Sequence, residues 1–202
     1  VAASVAIFLI TEYYTGRKYR PVKEIAESSR TGPAINIISG FSVALESTAL
    51  PVLVIVVTIL AGWFFGTASW IEMGLDPSLI HYGGVYGTAV ATMGMLSVAG
   101  MILGMDGFGP IIDNAAGIAE MSGSEQKIRD RLDNFDMAGN TTKALTKGYA
   151  LGSAGLAALL LFQAYIDVTS EAYSELSMVA VVNLLDIRVI CGLFIGGLLP
   201  FI

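Results

Sequence analysis

Three long runs almost free of charge constrain this chain more than any other feature. Residues 34–65 contain one charge, Glu46; residues 83–105 contain none; residues 144–166 contain only Lys147. Each has the length of about 20 apolar residues that a helix needs to cross a bilayer. A soluble domain carries about a quarter charged residues, whereas this chain carries 14%, with 54% hydrophobic residues and a mean hydropathy of +0.70. So little charge cannot coat a water-facing surface over a buried core, so lipid is the expected solvent for much of the chain. In lipid a segment must satisfy its own backbone, which selects helices over open sheets. The expected class is all-α, a polytopic transmembrane helix bundle. It comprises a helix end at 1–15, a cytoplasmic loop at 16–33, spans at 34–65, 83–122 and 140–166, and a truncated span at 188–202. Residues 1–10 are uncharged but too short to span, and read as the tail of a longer helix.

Charge placement gives an orientation. Arg17, Lys18, Arg20, Lys23 and Arg30 lie in 11–33, and Lys127, Arg129, Arg131, Lys143 and Lys147 in 123–147. The connections 66–82 and 167–187 carry Glu72, Asp76, Asp167, Glu171, Glu175 and Asp186, with no Lys or Arg. The positive-inside rule puts the two basic segments on the cytoplasmic side, and the three intervening spans match that alternation. Glycine and alanine recur through 83–104 and 144–158, as close helix packing in lipid requires. Trp63 and Trp70 suit the outer interface. The only cysteine, Cys191, reads as a packing residue, and the only histidine, His81, as a solvated loop residue. A net charge of −6 without a basic, aromatic-interleaved patch points away from nucleic acid.

The second span continues into a polar stripe. Asp106, Asp113 and Glu120 are spaced by seven, which brings all three near one face of an α-helix. Pro110, between the first two, can bend that helix. Three acids on one face at a membrane edge need positive charge, and Mg²⁺, a hard cation that shares carboxylates with substrate phosphates, suits them. The third span opens with Asn140, Lys143 and Lys147, again with a spacing of seven between its ends. The two stripes meet at one membrane edge, joined by the polar stretch 123–139. Carboxylates to hold metal, ammonium groups to neutralise phosphate and an amide to fix a water or group form a set for a metal–phosphate ligand. The plainer alternative is that the acids face water and Lys147 snorkels to the interface. Glu46 reads either as a structural acid or as an ion-path group.

The ordered motifs resemble those of membrane-integral, ion-translocating inorganic pyrophosphatases. Asp106-Gly107-Phe108-Gly109-Pro110 with Asp113-Asn114-Ala115-Ala116-Gly117-Ile118-Ala119-Glu120-Met121 is similar to that family's DAYGPI-x-DNAGGIAEM. Ala138-Gly139-Asn140-Thr141-Thr142, Lys147-Gly148 and Gly152-Ser153-Ala154 resemble AGNTT…KGFAIGSA. Thr11 to Thr15 resemble TEYYT, Arg30 to Asn36 resemble TGAATN, Glu46 to Pro51 match ESTALP, and Gly192 to Phe201 resemble GLFIGGMLPF. Phe108 replaces a tyrosine and Ala116 a glycine; Asp133 and Asp136 persist where the family has two acids before AGNTT.

The resemblance implies a bundle of roughly sixteen spanning helices, each satisfying its own backbone in lipid, working as a homodimer. It implies hydrolysis of Mg-pyrophosphate on the cytoplasmic side, coupled to outward movement of H⁺ or Na⁺. Asp106 and Asp113 would bind Mg²⁺ and the attacking water, Asn140 and Lys147 would contact pyrophosphate, and Glu12 would lie near the same funnel. Lys143 and Thr146 match members that need no K⁺, in which a tethered ammonium replaces the bound ion, and these favour H⁺. The family's acidic, lysine-containing motif of an earlier helix and its gate glutamate are not among these residues, so they do not make a complete active site. The alternative function is an ion-coupled secondary transporter without hydrolase activity, whose buried acids look similar.

Overall fold

The computed structural model describes residues 1–175 and 187–199. Every regular element among them is helical. The chain divides into two compact units, Val1–Ala157 and Ala158–Ile202. In order, the helices are α1 (Ala2–Thr15), α2 (Arg20–Ser28), α3 (Pro33–Ser47), α4 (Ala49–Glu72), α5 (Ile80–Leu96), α6 (Ala99–Met121), α7 (Gln126–Glu175) and α8 (Ile187–Leu198), with a 3₁₀ turn at Pro77–Leu79. The first unit holds α1 to α6 and the start of α7. The second holds the remainder of α7 and the apolar α8, on which Cys191 is exposed. Parts of the 167–187 connection and of the 188–202 span, namely 176–186 and 200–202, lie outside the described residues.

Two helical runs are long and apolar enough to cross a membrane, Pro33–Glu72 and Gln126–Glu171. The pair Pro77–Leu96 and Ala99–Met121, bent by 41°, is a third as a broken span. This is a membrane-integral, all-α chain. The basic segment 16–33 is not wholly loop, since Arg20–Ser28 is helical, opened by Pro21 in its first turn. Helix also runs through most of 123–139, so the turn between α6 and α7 shrinks to 122–125. Gly123 there takes a left-handed φ of 68°.

Close approach of α4 and α5 organises the first unit. A Cβ added to Gly66 would collide with the carbonyl oxygen of Gly83, and one added to Gly87 with that of Gly62. Only glycine on both sides lets the two backbones touch. Trp63 lies against Gly84 and Trp70 against Gly83, so both side chains pack on α5, with Trp63 still exposed on its other side. Trp70 also donates from Nε1 to the carbonyl of Asp76 (3.0 Å). In the connecting turn, the Asp76 carboxylate accepts from the Ser78 amide (2.9 Å) and hydroxyl (2.8 Å). These bonds, the backbone one first, hold the Asp76 carboxyl below the ordinary aspartate value.

The core of this unit is Ile7, Met95, Tyr149 and Leu156, flanked by Val54, Ile55, Ile59, Val98, Ala99 and Ile102. Its position explains the bend. A continuous helix would bond the carbonyl of Met95 to the amide of Ala99, but the chain breaks at Ser97 and Val98. The Tyr149 hydroxyl takes over, donating to Met95 O at 2.6 Å. The bend therefore falls at Ser97 and Val98, while Pro110 stays inside α6.

Contacts also fix relative depth. Ile7 packs against Gly152, and Thr11, one turn later, against Gly148. Tyr14 is nearly a further turn along, level with Leu145 and Thr146, and its hydroxyl donates to Glu46 Oε1 (3.2 Å). That bond ties Glu46, in the last turn of α3, to the end of α1. The run Pro33–Glu72 has 40 residues, about 60 Å against a hydrocarbon thickness of about 30 Å. The 24 residues of α4 suffice by themselves for that thickness.

Candidate functional site at the α6–α7 hairpin

The hairpin of α6 and α7 presents the three α6 acids to three α7 partners. Asp106 Oδ1 accepts from Thr146 Oγ1 at 2.6 Å. Asp113 Oδ2 meets Lys143 Nζ at 3.2 Å. Glu120 Oε1 meets Arg129 Nη2 at 3.5 Å. The acids do share a face, as their spacing predicts, but each has its own partner, a cation for Asp113 and Glu120 and a hydroxyl for Asp106. Among the described residues no three acidic, histidine or cysteine side chains converge on one point.

Glycine makes the middle rung. A Cβ on Gly139 would meet Gly109 Cα at 3.2 Å, so the helices nearly touch there. A Cβ on Gly109 would occupy the space of the Lys143 stem, 2.5 Å from its Cγ and 2.6 Å from its Cε. Lys143 therefore lies flat across the bare backbone of α6. Its ammonium reaches Asp113 and approaches Asn140 Oδ1 at 3.5 Å. The Asn140 amide donates in turn to Asp136 Oδ2 at 3.0 Å. Pro110, lacking an N–H, leaves the carbonyl of Asp106 without its usual intrahelical donor.

Below this rung lies a cleft of about 250 Å³, lined by Asp106, Thr146, Lys147, Tyr149, Ala150 and Ser153 with apolar residues of α5 and α6. Lys147 itself is exposed. The residues expected from sequence are thus divided. Asp113, Asn140 and Lys143 form one cluster, and Asp106, Thr146 and Lys147 line an adjoining cleft. It is Lys143, not Lys147, that faces Asp113. Glu12 stands apart in a 2.9 Å ion pair with Lys18, although its neighbour Thr11 packs on Gly148 of α7. Hydrogen bonding to Glu12 raises the Lys18 pKa above the ordinary lysine value, with a smaller contribution from Tyr19.

The donor set is one of hard oxygens: carboxylates of Asp106 and Asp113 and the amide oxygen of Asn140. Such a set suits Mg²⁺, which keeps several waters and takes only one or two protein carboxylates, the rest coming from phosphate. Asp113 has room for this, its side chain being 65% exposed.

The family model of inorganic H⁺ pyrophosphatases matches residues 1–202, the whole chain. The chain belongs to the inorganic H⁺ pyrophosphatase family. It is 59% identical to the K⁺-insensitive pyrophosphate-energized proton pump 2 of Moorella thermoacetica, over 83% of this chain and 23% of that protein. It is 52% identical to the pyrophosphate-energized membrane proton pump 3 of Arabidopsis thaliana, over 94% and 23% respectively. It is 48% identical to the K⁺-insensitive pyrophosphate-energized proton pump of Caldanaerobacter subterraneus, over 100% and 28%. The chain thus spans about a quarter of the length of these curated relatives.

Within this H⁺ pyrophosphatase segment, two partners escaped sequence reasoning. Asp136 binds Asn140 at i, i+4, a helical spacing that was hidden because 123–139 reads as loop. Tyr14 binds Glu46 across 32 residues, a contact with no local signal.

Proposed function

We propose that the whole protein containing this segment hydrolyses inorganic pyrophosphate and couples hydrolysis to proton translocation across its membrane. The observation that carries this reading is the paired arrangement of Lys143 on Asp113 and Thr146 on Asp106. Those two α7 residues are the ones whose identities mark K⁺-independent members, and each contacts one of the acids expected to hold metal. Asp106 and Asp113 hold Mg²⁺, with further ligands from outside this segment. When bound, Mg²⁺ supplies neutralisation of the diphosphate and polarisation of its oxygens.

The segment's own residues then do the following. Lys147 and Lys143 place positive charge beside phosphate oxygens. Asn140 holds a ligand or water by its amide. Thr146 fixes the rotamer of Asp106. Asp113, the more exposed acid, orients the attacking water and accepts its proton. Glu46, held by Tyr14, is the proposed proton-path group. Glu12 completes the rim on the α1 side. The working unit is a homodimer, and K⁺ is not required.

The test uses the full-length protein in inverted membrane vesicles. Wild type should release phosphate from pyrophosphate and acidify the lumen, and Asp113→Ala should abolish both while leaving the protein in the membrane. Near-wild-type turnover by Asp113→Ala would refute the site. An ion-coupled secondary transporter would release no phosphate at all.

A further inference from the structure

We propose that Asp136 is a positioning residue: its carboxylate sets which end of the Asn140 amide faces Lys143 and Asp113. The inference rests on the pyrophosphatase reading for its functional consequence, but on geometry for its substance. Asn140 stands between two groups of opposite kind. Asp136, an acceptor, takes a hydrogen bond from Nδ2 at 3.0 Å. Lys143, a donor only, lies 3.5 Å from Oδ1. An amide placed between a carboxylate and an ammonium satisfies both in one orientation only. Reversal would set Nδ2 against the ammonium and Oδ1 against the carboxylate, losing both contacts and creating two repulsions. Asn140 therefore presents its oxygen toward the Lys143–Asp113 pair.

Asp136 is not an ordinary solvated acid of a helix surface. Its second oxygen, Oδ1, is enclosed and has no hydrogen-bond partner among the described residues. Enclosing half of a carboxylate is costly, so a merely decorative i, i+4 pair, worth about 0.2–0.5 kcal/mol on an open helix, would not favour this placement. The guanidinium of Arg17 rests on the next residue, with Nη1 3.4 Å from the Met137 sulfur. The chain Asp136–Asn140–Lys143–Asp113 runs from an enclosed anchor to an exposed acid. Its order matters because an amide oxygen aimed at the site attracts cations and protonated groups, whereas an aimed NH₂ attracts phosphate oxygens. Asp136 selects the first.

Two measurements on the full-length protein in nanodiscs test this. With ¹⁵N-asparagine labelling, the Asn140 side-chain amide protons should resonate and exchange as hydrogen-bonded in wild type, and shift toward free amide values in Asp136→Asn. Free-amide behaviour in wild type, or no change in the variant, would overturn the proposal whether or not the protein hydrolyses pyrophosphate. In kinetics, Asp136→Asn should lower kcat/KM for Mg-pyrophosphate about tenfold to a hundredfold. The same change in an Asn140→Ala background should cost nothing further, because Asp136 acts through Asn140. Additive losses would overturn it. Absence of hydrolysis in wild type would instead refute the pyrophosphatase reading, with the amide resonances still deciding the role of Asp136.

Discussion

Gly87→Ala is the sharpest probe of the α4–α5 seam. The new methyl would lie 2.8 Å from Gly66 Cα and 2.9 Å from Gly66 N, and closer still to the carbonyl oxygen of Gly62. Carbon contacts are comfortable at roughly 3.5–4.0 Å, so the helices must separate by about an ångström at that level. The obstructing atoms are backbone and have no rotamer to change. The upper part of the overpacking range, about 3 kcal/mol, therefore applies. Replacing a mid-helix glycine returns about 1 kcal/mol of helix propensity, leaving a net loss of about 2 kcal/mol. Gly155→Ala supplies the contrast. Its methyl would meet only Ile55 Cδ1, at an ordinary 3.5 Å, so the propensity gain of about 1 kcal/mol stands nearly alone. Unfolding of the full-length protein in mixed micelles of increasing SDS content measures both. Opposite signs are expected; equal effects, or a Gly87→Ala protein as stable as Gly155→Ala, would refute direct backbone contact along this seam.

Three further outcomes follow from particular contacts. Lys143→Ala removes the charge beside Asp113 and should lower pyrophosphate hydrolysis about tenfold to a hundredfold, as for a lost charge-assisted bond of about 1.5–3 kcal/mol. Added K⁺ should restore much of it, and a variant indifferent to K⁺ would contradict the role given to Lys143. Tyr149→Phe leaves the carbonyl of Met95 without its 2.6 Å donor and should destabilise the fold by about 1–3 kcal/mol, read in the same SDS titration. The Asp76 carboxyl titrates below the ordinary aspartate value. Its contribution to the α4–α5 turn is thus complete above pH ~4 and lost as pH falls through the lowered value. Amide exchange at Ser78 should show protection vanishing on acidification, whereas Asp76→Asn should show no such transition.

The membrane class was legible because charge exclusion is a bulk property, readable without knowing any contact. The acid stripe was legible for a similar reason: seven residues is two helical turns, so Asp106, Asp113 and Glu120 had to share a face once 99–121 is helical. Helix ends were less legible. The stretch 123–139 is polar and was read as a loop, yet α7 begins at Gln126, because a helical hairpin outside lipid has no need of apolar residues. With 123–139 taken as loop, the i, i+4 pairing of Asp136 with Asn140 has no signal. The bend at Ser97 and Val98 carries neither proline nor an isolated glycine, and it is accommodated by Tyr149, more than fifty residues later.

That phenol has a mechanical meaning. Tyr149 lies on the same rigid rod as Thr146 and Lys147, less than one turn away, and grips the joint at which the neighbouring segment changes direction. The lysine-bearing stretch of α7 and the joint between α5 and α6 are therefore tied by one hydroxyl group, and the direction taken by the neighbouring segment depends on a residue of the same helix that carries the site's positive charge.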